Sequence, residues 1–277
     1  MLAKLLKFEL KAMSKYLFPL YSIVLLFTLV FSLIYNTSFI HSFLSDNFYS
    51  MSRVILIVLY VAIIVAMEII TFIVTAKRMY NNLLGDDGYL MNTIPVKASY
   101  NILCKTISAV IWNIIAGIIF CVSIAAIMCS NLSFQEIFSS ISVILQKIVE
   151  AKNILQGDFY IYFLEVFIYV LLSEIAGTLI IYASVCIGHL FSRKIIGSIG
   201  GFILCQAIML FLSAAIDYFI FGRTNFNNNN AITSISDLNN TFYYHGILIA
   251  NNLLYIFIIV SCFCTSKYII EHKLNLE

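Results

Sequence analysis

Carboxylates inside long apolar stretches are the side chains of this sequence with the clearest capacity for chemistry. Glu68 interrupts one such stretch, and Glu174 lies near the middle of another. A charge at the centre of a bilayer costs about 2.5–3.5 kcal/mol on insertion scales, so carboxylates placed there need an explanation. Both are candidates to line a polar path or to bind a cation. The alternative interpretation is that they are protonated, or hydrogen-bonded between helices.

Nucleophiles, bases and metal ligands form no recognisable motif. The histidines, at positions 41, 189, 245 and 272, are scattered without metal-ligand spacing. The sequence contains no Gly-Lys pair of a phosphate-binding loop, no His-Glu-x-x-His and no Gly-x-Ser. The seven cysteines lie in or at the ends of apolar runs, which is typical of packing residues. We therefore expect no catalytic site, no cofactor, no metal and no nucleic-acid partner.

The composition predicts that these residues belong to a membrane protein. Hydrophobic residues make up 62% of the 277 positions and charged residues 11%, against about 25% charged residues in a soluble domain. Charges cluster between neutral stretches of about the ~20 residues that cross a bilayer. The sequence predicts an all-α polytopic membrane protein with six transmembrane helices, within or around residues 17–35, 53–77, 107–128, 158–189, 194–217 and 246–266.

The distribution of lysine and arginine predicts the orientation of these spans. Connections on one side of the membrane carry twelve of the sixteen basic residues, and connections on the other side carry four. Cytoplasmic connections are the ones enriched in Lys and Arg. We therefore expect a multi-pass protein of the cytoplasmic membrane with both termini in the cytoplasm.

The segments outside the spans have patterns of their own. Residues 1–16 place apolar positions at helical spacing beside a stripe of lysines, which predicts an amphipathic helix on the inner leaflet that leads into the membrane domain of residues 17–277. External segment 130–158 has a Ser133–Glu136 capping box and then a helical apolar repeat. It predicts a helix on the outer surface, either for substrate capture or packed against the spans. External segment 222–245 is rich in asparagine.

Cytoplasmic segment 77–105 is much longer than a simple connection requires. A pair of glycines and a proline interrupt its helix-compatible sequence, and a proline at this position favours the start of the next helix. Apolar residues at its tip belong to no span and suggest a docking surface. The candidate docking residues are Asp86, Asp87, Gly88, Tyr89, Leu90, Met91 and Pro95.

Two stretches of this chain resemble the permease subunit of a bacterial type-2 ABC exporter. Residues 86–90 (DDGYL) followed by residues 93–96 (TIPV) are similar to a run that such permeases carry in the cytoplasmic loop before span three. Residues 188–191 (GHLF), leading through Arg193 and Lys194 to residues 197–198 (GS), are a second similar stretch. Six spans with an N-terminal amphipathic helix also resemble that family.

This resemblance implies a transport function without enzymatic activity in this chain. It implies that segment 77–105 holds a coupling helix that docks on a separate ABC ATPase, which binds the ATP. It also implies a second permease subunit, identical or not, and export of an amphiphilic substrate such as a peptide antibiotic, drug or lipid. Residues 225–240 depart from the family, because they are too polar to re-enter the bilayer. A secondary transporter or channel and an intramembrane enzyme remain as alternatives.

Overall fold

Seven α-helices make up almost all of the described chain in the computed structural model. It describes residues 2–36, 46–84, 98–130, 134–155, 158–191, 193–221 and 241–272. The helices are α1 (Leu2–Asn36), α2 (Asp46–Met79), α3 (Ala98–Ser130), α4 (Phe134–Leu155), α5 (Asp158–His189), α6 (Lys194–Phe221) and α7 (Thr241–His272). One π-helical turn, Tyr80–Leu84, continues α2.

Six of the described helices are long and apolar enough to cross a membrane, which confirms the predicted number of spans. They are all the helices except α4. Large apolar side chains are exposed along them, for example Ile195 at 76%, Phe211 at 73% and Phe219 at 74% on α6. Water would disfavour apolar surface of this extent, whereas lipid chains solvate it. These features indicate a membrane-embedded protein.

The predicted surface helix and the first span form one continuous element. Helix α1 has 35 residues, and no helix end marks the predicted boundary at residue 16. Pro19 lies inside α1, a position where helices commonly bend. The four lysines at positions 4, 7, 11 and 15 are exposed, whereas Met13 and Leu17 are buried. The exposed lysines match the stripe in the sequence, and the amphipathic helix on the inner leaflet stays a prediction.

Helix α4 matches the helix that the sequence predicts for segment 130–158. It begins at Phe134, directly after Ser133 of the predicted capping box, although Ser133 itself lies outside the described residues. Its residues 141–150 are all exposed. The described part of the chain therefore does not cover the apolar face of α4, and the expected packing of that face against the spans is not seen there. Residues 222–240 lie outside the description.

The chain divides into two compact units, of which unit 1 comprises Met1–Lys77 and Ile107–Lys147. Its core is formed by side chains of α1, α2 and α3: Met13, Leu17, Tyr21, Val24, Phe31, Tyr60, Ile64, Met67, Trp112 and Ala116. Hydroxyl groups join the same helices. The Tyr21 hydroxyl donates to the Trp112 carbonyl at 3.3 Å, and the Tyr60 hydroxyl donates to Ser123 Oγ at 2.7 Å. Such hydrogen bonds stabilise helix pairs in a bilayer, where water does not compete.

Unit 2 comprises Arg78–Thr106 and Ile148–Glu277, and α5 is its central helix. Helix α5 packs extensively against both α6 and α7, while α6 and α7 contact each other less. A core cluster of Ala176, Ile180, Tyr255 and Ile258 joins α5 to α7. Over half of the α5 span is buried, compared with 17% of the α2 span. Unit 2 is therefore organised around α5, and the described candidate residues other than Glu68 lie on α5 or beside it.

Candidate functional site at the base of the cytoplasmic loop

The candidate residues named from the sequence fall in three places. Residues 86–91 and Pro95, the candidate docking tip, lie outside the described part of the chain. Glu68 is exposed on α2 in unit 1, and Glu174 is half-buried on α5 in unit 2. Both glutamates take part in an interaction, so neither is an isolated charge. The structure does describe the residues on both sides of segment 85–97, which we call the base of this loop.

The first side of this base is the π-helical turn Tyr80–Leu84. It follows directly on α2 and contacts α5. Met79 and Leu83 are fully buried, and Leu84 is 5% exposed. Single π-helical turns are rare and are often found at functional sites. The loop therefore leaves the membrane domain from a turn that is packed into unit 2.

The second side of the base is the start of α3, where the loop returns. Asn101, Ile102, Cys104 and Lys105 are buried there. The hydroxyl of Tyr182 on α5, itself buried, donates to the Lys105 carbonyl at 3.1 Å. Lys105 is only 3% exposed, which is unusual because lysines are almost never fully buried unless they are paired. A hydrogen bond thus joins this end of α3 to α5.

The third part of the base is the hairpin between α5 and α6. Lys194 Nζ lies 3.3 Å from His189 Nε2. An ammonium can only donate, so Nε2 accepts, which leaves the ring proton on Nδ1. The backbone of Leu84 hydrogen-bonds the same imidazole, and the Tyr80 ring lies 6.1 Å from it. His189 therefore links the hairpin to the π-helical turn.

Small residues allow the two arms of this hairpin to approach closely. A Cβ atom at Gly188 would overlap the backbone of Ser198. At Gly197 it would lie 3.1 Å from the Cα of Gly188, and at Gly201 it would lie 3.6 Å from Ser184. The Gly-x-x-x-Gly spacing at 197 and 201 predicts such close packing, and the structure confirms it. The short connection between α5 and α6 is confirmed as well.

We call these three parts together the loop base: the turn Tyr80–Leu84, residues 98–105 and residues 188–198. The second sequence stretch that resembles ABC permeases contains His189 and so belongs to the loop base, and the first begins two residues after Leu84 in the sequence. Both ends of the loop are attached to α5. A force on the loop would therefore reach the α5–α7 bundle. The described residues hold no group of three or more potential metal ligands.

A polar pair that the sequence reasoning missed joins the other end of α5 to α7. His245 Nδ1 lies 2.7 Å from Glu165 Oε2, with both side chains less than one-fifth exposed. The Tyr162 ring packs edge-on against His245 at 5.5 Å. Eighty residues separate the two partners, so no local spacing reveals the pair. The sequence did offer one indication. Glu165 and His245 each lie near the start of a predicted span, and both spans enter the membrane from the same predicted side.

Farther along the same interface, the hydroxyl of Tyr255 donates to that of Tyr169 at 3.3 Å, and the two rings meet edge-on at 5.3 Å. The Asn251 side chain turns back to donate to the Ile247 carbonyl of its own helix. Side-chain hydrogen bonds thus accompany the α5–α7 contact from its Glu165 end to its middle. In lipid, such groups serve to hold helices together or to meet a polar substrate.

No family model, curated protein or solved structure matches this chain. No relative therefore supplies a function.

Proposed function

We propose that this chain is the permease subunit of an ATP-driven ABC exporter, which works with a separate ATPase. The observation that carries the proposal is the attachment of both ends of the loop to α5. A coupling element must pass motion from a soluble partner to the spans, and a loop anchored at both ends on a central helix can do so. Six apolar helices and the absence of a phosphate-binding motif from the sequence support the same function.

In this proposal the loop of residues 85–97 docks in a groove of the ATPase. ATP binding and hydrolysis on that partner move the loop, and the loop base moves α5 together with the helices packed on it. A second permease subunit, identical or different, completes the pathway for an amphiphilic substrate such as a peptide antibiotic, drug or lipid. The chain itself binds no nucleotide.

This function requires the loop to lie in the cytoplasm, which places both termini there and the protein in the cytoplasmic membrane. We expect a membrane-impermeant thiol reagent to label cysteines placed at Ser140 and Asn228 in sealed cells, in a background without the native cysteines. Cysteines at Asn92 and Asn275 should react only after the cells are opened. Labelling of the Asn92 position in sealed cells would reverse the orientation and remove the docking role.

The coupling role is tested by Tyr89→Ala combined with Leu90→Ala. Truncation of an apolar anchor at an interface typically costs about 2 kcal/mol or more, so the pair should lower the affinity for the ATPase by roughly thirtyfold or more. The permease should still insert but should neither retain the ATPase during purification nor stimulate its ATP turnover. A matched control is Tyr16→Ala with Leu26→Ala, two exposed positions on α1. Normal retention and transport in the loop variant would show that this loop is not the coupling element.

A secondary transporter is the second candidate, because the Glu165–His245 pair is an acid–base couple inside a membrane domain. Such couples are used in proton relays. The two functions are separated by reconstituting the chain in vesicles with and without the ATPase. Uptake that depends on ATP supports the permease. Transport by the chain alone under an imposed proton gradient, abolished by Glu165→Gln, would support the secondary transporter.

A further inference from the structure

Unit 1 has a lateral groove that the proposed coupling mechanism does not use. Its volume is about 520 Å³, within the ~300–1,000 Å³ of typical ligand sites. Helices α1, α2 and α3 all contribute to it, and its lining residues belong to their membrane spans. The lining residues are Phe31, Ile57, Tyr60, Val61, Ile64, Val65, Phe120, Ile124 and Ile127.

The groove offers a ligand almost nothing but hydrocarbon. Phe31, Tyr60 and Ile64 are buried and form its floor, with the Phe31 and Tyr60 rings 5.3 Å apart. The Tyr60 hydroxyl already donates to Ser123 Oγ at 2.7 Å, and Ser123 donates to the Phe120 carbonyl at 2.8 Å. Among the described lining residues only Tyr60 has a polar side-chain group, and its hydroxyl donates its proton within the protein. An occupant needs to be apolar over its whole buried length.

The residues that line the groove differ in type from those at the close contact between α5 and α6. Helices associate in membranes through small residues that allow close approach and through interhelical hydrogen bonds, because lipid tails are as apolar as leucine. The α5–α6 contact of this chain has those features, with Gly188 against Ser198 and Gly201 against Ser184. The described lining of the groove contains no such small residue, since bulky branched and aromatic side chains form it.

The extent of the groove matches lipid. From Ile57 to Val65 it follows α2 for about 12 Å, close to the ~15 Å that one leaflet contributes to the hydrocarbon core. It also lies in the half of the α2 span that is nearer to the N-terminal end of that helix. A chain that enters from one interface and stops near the bilayer centre would fill it.

We propose that this groove binds an acyl chain of a bilayer phospholipid. The site is independent of the proposed transport function, because a resident lipid can be bound whether or not the protein couples to an ATPase. The phospholipid would pack on the rings of Phe31 and Tyr60 and lie between the side chains of α2 and α3.

Two matched substitutions on α2 test the site. Val61 and Val58 are both exposed, at 51% and 63%, but only Val61 lines the groove. The variants Val61→Trp and Val58→Trp would be purified in detergent, and retained phospholipid counted by native mass spectrometry. Loss of contact with a few methylene groups should lower retention in Val61→Trp by at least about tenfold, and retention in Val58→Trp should equal that of the wild type.

A second measurement covers the case in which tryptophan prevents folding. The wild type would be reconstituted in vesicles of phosphatidylethanolamine and phosphatidylglycerol with a photoreactive group in one acyl chain. Crosslinks should concentrate on Phe120, Ile124 and Val65 rather than on Ile118, which is 57% exposed on the same α3. Equal retention in the two valine variants, or crosslinks spread evenly over α3, would overturn the proposal. A dimer that Val61→Trp converts to a monomer without loss of lipid would instead identify a subunit contact.

Discussion

Helix α5 holds its two neighbours in different ways. Toward α6 it presents Gly188 and Ser184 to Ser198 and Gly201, so the backbones of the two helices approach closely. Toward α7 it presents larger polar groups, and Glu165 and Tyr169 meet His245 and Tyr255 through hydrogen bonds. Both are established ways to join helices in lipid. A contact between small residues tolerates no added atom, whereas a side-chain contact depends on the chemistry of the pair, so different substitutions should break each contact.

The largest effect is expected from Gly188→Ala. The new Cβ atom would overlap backbone atoms of Ser198, which cannot move away as a flexible side chain could. We expect a loss of about 3 kcal/mol or more of unfolding free energy, the upper end of overpacking effects, read as a lower midpoint of thermal unfolding in detergent. Gly200→Ala on α6 is the control, because nothing lies within 4 Å of its new Cβ atom. Equal midpoints for the two variants would refute the close contact between α5 and α6.

An intermediate effect is expected at the α7 contact. Glu165→Leu, His245→Leu and the double variant form a cycle that isolates the energy of the pair. We expect a coupling of about 1 kcal/mol, since side-chain hydrogen bonds between membrane helices contribute about 0.6 kcal/mol on average and rarely exceed 1.7. Glu271→Leu serves as the control, because its pair with Lys267 is at 4.0 Å and more than one-third exposed. Additive single effects at Glu165 and His245 would mean that the pair does not join α5 to α7.

The smallest effect is expected from Glu174→Gln, between the two contacts on the same helix. Glu174 is half-buried and takes part in an interaction, and glutamine keeps the size and the hydrogen-bonding capacity of its side chain. Transport and the thermal midpoint should both stay close to the wild-type values. A variant that assembles normally but transports differently would instead place Glu174 on the substrate path.

These two contacts also show what could be predicted from the sequence. The α6 contact depends on glycines four residues apart beside a short connection, so its signal is local and could be read directly. Helix α4 was predictable for the same reason, from a cap followed by an apolar repeat. The Glu165–His245 pair depends on two spans that meet only after folding, and their separation of eighty residues hides it. The length of the charge-free stretches predicted that these spans exist. It did not predict which faces of the helices meet.

The loop base was predictable only in part. Sequence stretches around positions 86–96 and 188–198 could each be singled out. The π-helical turn and the buried side of residues 98–105 have no distinctive pattern, so their contacts with α5 could not be predicted. Lys105 illustrates the limit, because a lysine beside a span is expected in water, yet it is buried in the structure.

Because α1 is long, the position of its lysine-bearing end depends on the thickness of the membrane around it. An unbroken helix of 35 residues is about 52 Å long, whereas a bilayer with its headgroups measures about 40–45 Å. Helix α1 must therefore either protrude from the bilayer or tilt, and a thinner membrane favours more of both. Tilting of α1 changes the position of its exposed lysines relative to the headgroup layer. Both the thickness of the bilayer and its content of anionic lipid would therefore affect where the lysines of α1 lie.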